Sequence, residues 1–442
     1  MRHAARPPEP REDDLDPGLT QVRWTRRGVL RAGVFGLLAG PLSARLARAD
    51  QGAGRPGDPG DPAARPPALI VVWLSGGPSQ LETFDPHPGG PIGGPTRAVP
   101  TAVPGVSFAA GYERLAERLD RLALVRSLVT TEGEHQRGTY LMRTGWPVTP
   151  TVDHPAFTAV VARAHRTPAL EVPAHVALLA EDPPRGGLLG AGWDAFVVGD
   201  PARPLEGLRV PGGLERLDRR LADLARLEAR FARGHEAGAA ATRHAALAAE
   251  ARARVGSAQA AAFDTSGEPE ATRAAYGDTA FGRACLAARR LVEVGVPAVE
   301  VTLGGWDTHV DNFGLHARLA PVLDQGLAAL LDDLAARDLL RSTVVLCLGE
   351  FGRTPRVNAA DGRDHWTRGF PALLAGRGVR AGAVVGATDP RGEAAPTDPV
   401  APQDLFATLH HLLGVDGREE LVTPAGRPIR LNEGTPVPAL LA

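Results

Sequence analysis

The sequence predicts an α/β protein whose mainly parallel sheet is covered by helices on both faces, and three observations carry that prediction. The first is Ala68-Leu69-Ile70-Val71-Val72-Trp73-Leu74, a continuous apolar run of the kind displayed by a parallel strand buried on both faces. The second is the alternation of Ala298 to Leu303, Leu315 to Arg337 and Ser342 to Leu348: a β-type run, a long amphipathic segment and another β-type run. The third lies just beyond the two later strands. Gly304-Gly305-Trp306-Asp307-Thr308-His309 succeeds one and Gly349-Glu350-Phe351-Gly352-Arg353-Thr354-Pro355 the other, with Asp364-His365 further along. Both segments fall where parallel strands finish, the edge at which open α/β folds build their sites.

The chain opens with an export address. Thr25-Arg26-Arg27-Gly28-Val29-Leu30-Arg31 is a twin-arginine signature, Ala32 to Leu42 is apolar, and Ala47-Arg48-Ala49 offers a small-x-small cleavage pattern. A membrane anchor needs roughly 20 apolar residues, and this run is about half that. Residues 1–49 therefore read as a signal peptide for the twin-arginine machinery, with a mature periplasmic or extracellular protein and no stable membrane span. Residues 50–67 read as a disordered Gly/Pro/Asp linker, and the folded domain is expected over 68–442.

Within that domain Tyr112 to Leu119 reads as a helix, Leu122 to Arg126 as a strand, Gly138 to Arg143 and Pro155 to His165 as helices, and Ala174 to Leu179 as a strand. From 213 to about 263 the leucines at 214, 217, 221, 224 and 227 recur at helical spacing, which predicts an inserted helical arm. Phe281 to Val294 reads as a helix closed by Gly295 and Pro297. Pro371 to Leu374 and Ala383 to Val385 read as later strands, and Pro402 to Leu413 as the last helix.

Composition limits the function. With residues 1–49 set aside, 40 Arg face 46 acidic residues, a balance that argues against nucleic-acid binding. Every basic side chain is Arg and none is Lys, so arginine clusters carry little functional weight. Cys285 and Cys347 form neither a disulfide framework nor a metal-binding pair and read as buried thiols.

Carboxylates and imidazoles brought to one sheet edge make the ligand set of a divalent metal. Asp307, His309, Glu350 and His365 are the candidate ligands, and Arg353 either binds a substrate oxyanion or pairs with Asp364. Zinc is the expected ion, with Ca, Mg or Mn as alternatives. Trp306 and Trp366 read as core or as pocket walls.

Four segments, Trp73-Leu74-Ser75-Gly76-Gly77-Pro78-Ser79, Gly304 to His309, Gly349 to Pro355 and Gly362-Arg363-Asp364-His365-Trp366, resemble those of the exported proteins grouped as domain of unknown function 1501. The resemblance runs from about 68 to 415. It implies a three-layer alkaline-phosphatase-like fold shared with sulfatases, with one metal on Asp307, His309 and His365 and a second on Glu350 plus an acid ending the first strand. No acid ends that strand at Leu74, so Glu82 and Asp85 are the nearest substitutes, and Asp364 is a further possible metal or substrate residue. Counting back from Thr144-Gly145 to the nucleophile position of sulfatase-like relatives reaches His135, which cannot become formylglycine. His135 would act as metal ligand, base or nucleophile, unless Ser127, Thr130 or Thr139 serves instead. The resemblance thus implies a phosphatase- or sulfatase-like hydrolase acting on a small or polymeric anionic ester, with a non-catalytic binding or scaffold protein as the alternative.

Overall fold

The computed structural model describes residues 65–203, 213–232 and 257–442. The signal segment and most of the linker lie outside the described residues. Eight strands make the central sheet: β1 (Ala68–Leu74), β2 (Leu122–Val129), β3 (His175–Leu178), β4 (Phe196–Val198), β5 (Ala298–Leu303), β6 (Thr343–Leu348), β7 (Arg368–Gly376) and β8 (Val384–Val385). Their spatial order is β8-β2-β7-β6-β1-β5-β3-β4. β1 pairs in parallel with β5 and β6, β3 with β4 and β5, and β8 with β2. β7 runs antiparallel between β2 and β6. The expected α/β class, with a mainly parallel sheet, is what the chain forms.

The two faces of β1 show why. All seven residues are buried. Leu69, Val71 and Trp73 pack with α2 (Phe157–His165) and α7 (Pro402–Leu413), while Ile70, Val72 and Leu74 pack with α5 (Ala280–Glu293) and α6 (Asn312–Ala336). Successive strand side chains point to opposite faces, so a strand between two helical layers must be apolar throughout. Each large aliphatic side chain so buried contributes roughly 1.5–3 kcal/mol. The remaining helices are α1 (His135–Thr144), α3 (Leu214–Ala232) and α4 (Glu270–Tyr276).

Several expectations change in detail. The segment expected as a helix over 112–119 holds only the turn Glu113–Ala116 and a 3-10 turn Leu119–Arg121. Its first N–H groups, on Arg114 and Leu115, donate to the Asp324 carboxylate of α6 at 3.1 and 2.8 Å, so tertiary contact sets the turn. α1 starts three residues before Gly138 because the Glu134 carboxylate caps it, accepting from the N–H of Gln136 and Arg137. Of the expected arm, α3 and a 3-10 segment Ala258–Phe263 are described; residues 233–256 lie outside the described residues. β4 and α4 have no counterpart among the expected elements: three and seven residues are too short for periodicity to register.

Three buried histidines predict acid sensitivity. The His316 Nε2 accepts from the Ser79 N–H at 3.0 Å and its Nδ1 donates to the Asn312 carbonyl at 2.8 Å, a neutral imidazole with both nitrogens used. His175 donates from Nδ1 to the Trp193 carbonyl and accepts at Nε2 from the Thr158 hydroxyl. Burial pushes His175, His316 and His410 down to about 4. The unfolded chain, with ordinary imidazoles near 6.5, binds more protons between those values, so stability is fully present above about pH 6.5 and falls as pH drops toward 4. Each imidazole contributes on the order of 3 kcal/mol to the loss. Urea titrations of metal-free protein at pH 7 and pH 4.5 should show it, and an unchanged midpoint would refute the assignment.

Candidate metal centre

Five chain segments meet at the carboxyl edge of the sheet. β1 ends at Leu74 and turns through Ser75 and Gly76; β5 ends at Leu303 and leads to Asp307 and His309; β6 ends at Leu348 just before Glu350; and the loop after β2 starts α1 with His135. His365 arrives on a short antiparallel ribbon, paired opposite Arg353, immediately ahead of β7. Gly76 makes the approach possible. Its φ is +114°, and a Cβ there would lie 2.4 Å from the Asp307 nitrogen. A Cβ on Gly362 would lie 1.9 Å from the His309 carbonyl oxygen, so the 362–365 turn is packed against the loop that carries His309.

Asp307 is the hub. Its Oδ1 lies 3.2 Å from His309 Nε2 and 3.5 Å from His365 Nε2, and its Oδ2 lies 3.3 Å from His135 Nε2. The two nitrogens His309 Nε2 and His365 Nε2 are 2.9 Å apart. Each ring is held at its other nitrogen by an acceptor: His135 Nδ1 by Glu350 Oε1 at 2.7 Å, His309 Nδ1 by Asp364 Oδ1 at 2.9 Å, and His365 Nδ1 by the Gly133 carbonyl at 2.7 Å. A carbonyl or carboxylate accepts the Nδ1 proton, so the neutral form of each ring would carry its lone pair on Nε2. Lone pairs facing each other at 2.9 Å repel unless a cation is shared between them.

These are the features of a metal site whose ligands are already oriented. Imidazole ligands ordinarily donate their far N–H to a carboxylate or carbonyl, and all three here do. Ligands around a four-coordinate ion at roughly 2.0–2.2 Å stand roughly 3.3–3.6 Å from one another, close to the separations around Asp307. One atom each of His135, Asp307 and His365 falls within 4.8 Å of the other two. His135 Nε2 and Glu350 Oε2 are buried without a hydrogen-bond partner among the described residues, as groups meant for a further ligand would be.

Electrostatics act on the rings in opposite directions. The Glu350 hydrogen bond raises His135 above its ordinary value against the effect of burial, so a bound cation would have to displace a proton there, while burial lowers His365 and favours its neutral form. Burial works to raise Asp307, yet the Arg353 guanidinium and two imidazoles outweigh it and hold the carboxyl ionised below its usual range. The His309 hydrogen bond likewise lowers Asp364.

The other expected residues have specific places. Glu350 stands behind His135, its Oε1 also accepting from the Gly76 N–H at 2.9 Å. Arg353 neither faces a substrate nor pairs with Asp364: its side chain is fully buried, and it donates to the carbonyls of Gly76, Gly77 and Arg363 and, at 2.6 Å, to Asp307 Oδ1. It fixes Asp307. Glu82 and Asp85 are not brought to the cluster. Glu82 accepts from Arg363, Asn312 and Thr96, and Asp85 from Arg126 and Thr388, so folding uses both acids elsewhere. Ser127 donates its hydroxyl to the Asp398 carbonyl and the Thr130 hydroxyl accepts from the Glu132 N–H, whereas Thr139 lines the cleft one turn after His135. Trp306 is core, with no exposed surface, and Cys285 and Cys347 are buried free thiols.

A cleft of about 1030 Å³ opens beside the cluster, with Ser75, His135, Thr139, Asp307 and Glu350 on its wall. Arg143 and Thr302 also line it, and neither carries a signal in the chain that would single it out. Arg143 is one arginine among 49 basic residues, and Thr302 looks like any β-branched strand residue.

Fold and site define an α/β protein with a candidate metal centre at the carboxyl edge of a mainly parallel sheet. The chain belongs to the family described as protein of unknown function (DUF1501), which it matches over residues 66–441. No curated protein matches it significantly. Among solved structures it is similar to the lipoteichoic acid synthase LtaP from Listeria monocytogenes (10% identity, covering 84% of this chain and 76% of that one, TM-score 0.38). It is also similar to PsFucS1 sulfatase from Pseudoalteromonas sp. (12% identity, 86% and 73%, TM-score 0.36) and to a protein in the alkaline phosphatase superfamily from Vibrio parahaemolyticus (12% identity, 79% and 67%, TM-score 0.34).

Proposed function

We propose that this chain is an exported, divalent-metal-dependent hydrolase of phosphate or sulfate esters. The observation that carries the reading is the meeting of His135, His309 and His365 Nε2 around the Asp307 carboxylate, each ring oriented by an acceptor at Nδ1. Three imidazoles to one carboxylate favour zinc over Ca, Mg or Mn. When bound, the ion would polarise the ester and acidify water. The chain's own residues hold the geometry: Arg353 keeps Asp307 ionised and fixed, Glu350 orients His135, and Asp364 orients His309. Ser75 and Thr139 put hydroxyls on the wall of the same cleft.

A rival reading is an exported scaffold that keeps the fold without turnover, and one observation favours it: no acid ends β1, where Gly76 instead donates its N–H to Glu350. Metal analysis and His309→Ala separate the two. A hydrolase should contain metal and cleave members of a phosphate and sulfate ester panel. His309→Ala should then lower metal content and rate at least tenfold while leaving thermal stability nearly unchanged, because a half-exposed loop side chain supports no core. Full metal content with no cleavage of either ester class, and a large stability loss in His309→Ala, would support the scaffold.

Export rests on the Arg26-Arg27 pair. No helix of the described residues is long and apolar enough to cross a membrane. Arg26→Lys with Arg27→Lys should leave unprocessed precursor in the cytoplasm, because the twin-arginine route reads the pair as an address. Normal processing of the double variant in fractionated cells would overturn this part of the reading.

A further inference from the structure

We propose that the floor of the cleft beside the metal centre, formed by Trp73, Arg143 and Thr302, is a recognition subsite for a neutral, hydroxyl-bearing body of the substrate, a carbohydrate-like polyol. The inference rests on the hydrolase reading only in placing the reacting anionic group at the Asp307 cluster.

The floor is built by two adjacent strands and α1. Trp73 of β1 and Thr302 of β5 are register partners, and Arg143, two turns after His135, lays its guanidinium over the Trp73 ring at 5.0 Å. The Arg143 side chain is only 9% exposed. Its terminal nitrogens are taken, Nη2 by Glu300 of β5 at 2.7 Å and Nη1 by Asp182 at 3.1 Å. What remains is the Nε–H, buried and without a partner, and the Thr302 hydroxyl is in the same condition. Thr302 is 9% exposed and lines the cleft, as Arg143 does.

Two buried polar groups left unpaired each cost about 1–3 kcal/mol, so a ligand that satisfies them gains more than one meeting an exposed surface. A hydroxyl suits either group, since it can accept from the Arg143 Nε–H and can both donate to and accept from the Thr302 hydroxyl. A second anion does not fit. The one guanidinium charge is already taken by Asp182 and by Glu300, whose carboxyl pKa is raised by burial, so none is left over for an anion, and Asp153 and Glu181 add further acid to the cleft wall against Arg185. The Trp73 ring is covered by Arg143 and so offers the ligand little stacking area; selectivity falls to the hydrogen bonds. At about 1030 Å³ the cleft has room for several sugar-sized units.

Calorimetric titration of metal-free mature protein, in which no zinc attracts sulfate, with neutral tetrasaccharides of glucose, galactose and mannose, and with their fully sulfated counterparts, tests the subsite without requiring turnover. At least one neutral tetrasaccharide should bind, and its sulfated counterpart should bind at least tenfold more weakly. Thr302→Val, which keeps the shape and removes the hydroxyl, should weaken the neutral ligand by about five- to tenfold, and Thr302→Ser should restore most of it. The proposal is overturned if no neutral tetrasaccharide binds, if the sulfated forms bind as tightly, or if Thr302→Val binds like wild type. Binding without cleavage of any ester would end the hydrolase reading and leave the subsite standing; ester cleavage without oligosaccharide binding would do the reverse.

Discussion

Asp307→Asn protein is expected to be purified with less than a tenth of the wild-type divalent metal and to lose ester hydrolysis with it. Among the described residues Asp307 is the one carboxylate that approaches all three imidazoles, at 3.2, 3.3 and 3.5 Å. Asparagine keeps the size and removes the charge. Its amide also presents a donor where Arg353 now finds an ionised acceptor at 2.6 Å, so the residue is expected to rotate or the buried guanidinium to lose its partner. Elemental analysis of the variant beside wild type, with circular dichroism to confirm folding, decides the matter. A folded Asp307→Asn protein with full metal would remove Asp307 from the site.

Much of this arrangement was legible in the chain because it depends on strand ends. Ala68–Leu74 has the bounds that its apolar run suggests and Ala298–Leu303 those of its β-type run, and parallel pairing brings the residues beyond them to one edge without further information. The position of His365 was less determined. It sits on a two-residue ribbon whose register is set by Arg353 opposite it and by the antiparallel course of β7, and neither has a periodic signature. The roles of the two arginines were illegible for a different reason. In a chain whose every cation is arginine, neither the type nor the spacing of Arg353 and Arg143 distinguishes a buried clamp from a surface charge; only the acceptors around them do.

The same limit explains Glu82 and Asp85. Sequence distance from β1 made them the nearest acids to the strand end, but the 3-10 turn Gln80–Glu82 rotates Glu82 into the core beneath Arg363, and Asp85 is drawn to Arg126 on β2. Proximity in sequence to a site is a poor guide when the intervening residues turn. In their absence the end of β1 contributes backbone instead of a side chain: Gly76 donates its N–H to Glu350 and its carbonyl accepts from Arg353, which links β1, β6 and the Asp307 loop through one glycine.

That link makes the loss of Arg353 costly to the fold. Arg353→Met is expected to destabilise the metal-free protein by about 3 kcal/mol or more, because it leaves buried backbone carbonyls unpaired at about 1–3 kcal/mol each. The side chain has no exposed surface, so water cannot replace what it gives. Its removal strands the Gly76, Gly77 and Arg363 carbonyls as well as Asp307, and freeing Asp307 loosens the carboxylate around which the imidazoles converge. Arg353→Lys should recover little, since one ammonium group with three donors at a single point cannot span acceptors arranged around a planar fork. Both variants should therefore lose metal together with stability, unlike His309→Ala, which should lose metal alone. Denaturant unfolding of the metal-free variants, followed by zinc titration, separates these outcomes. If Arg353→Lys matched wild type in both measurements, the guanidinium would be a dispensable charge and the clamp on Asp307 would have to be assigned elsewhere.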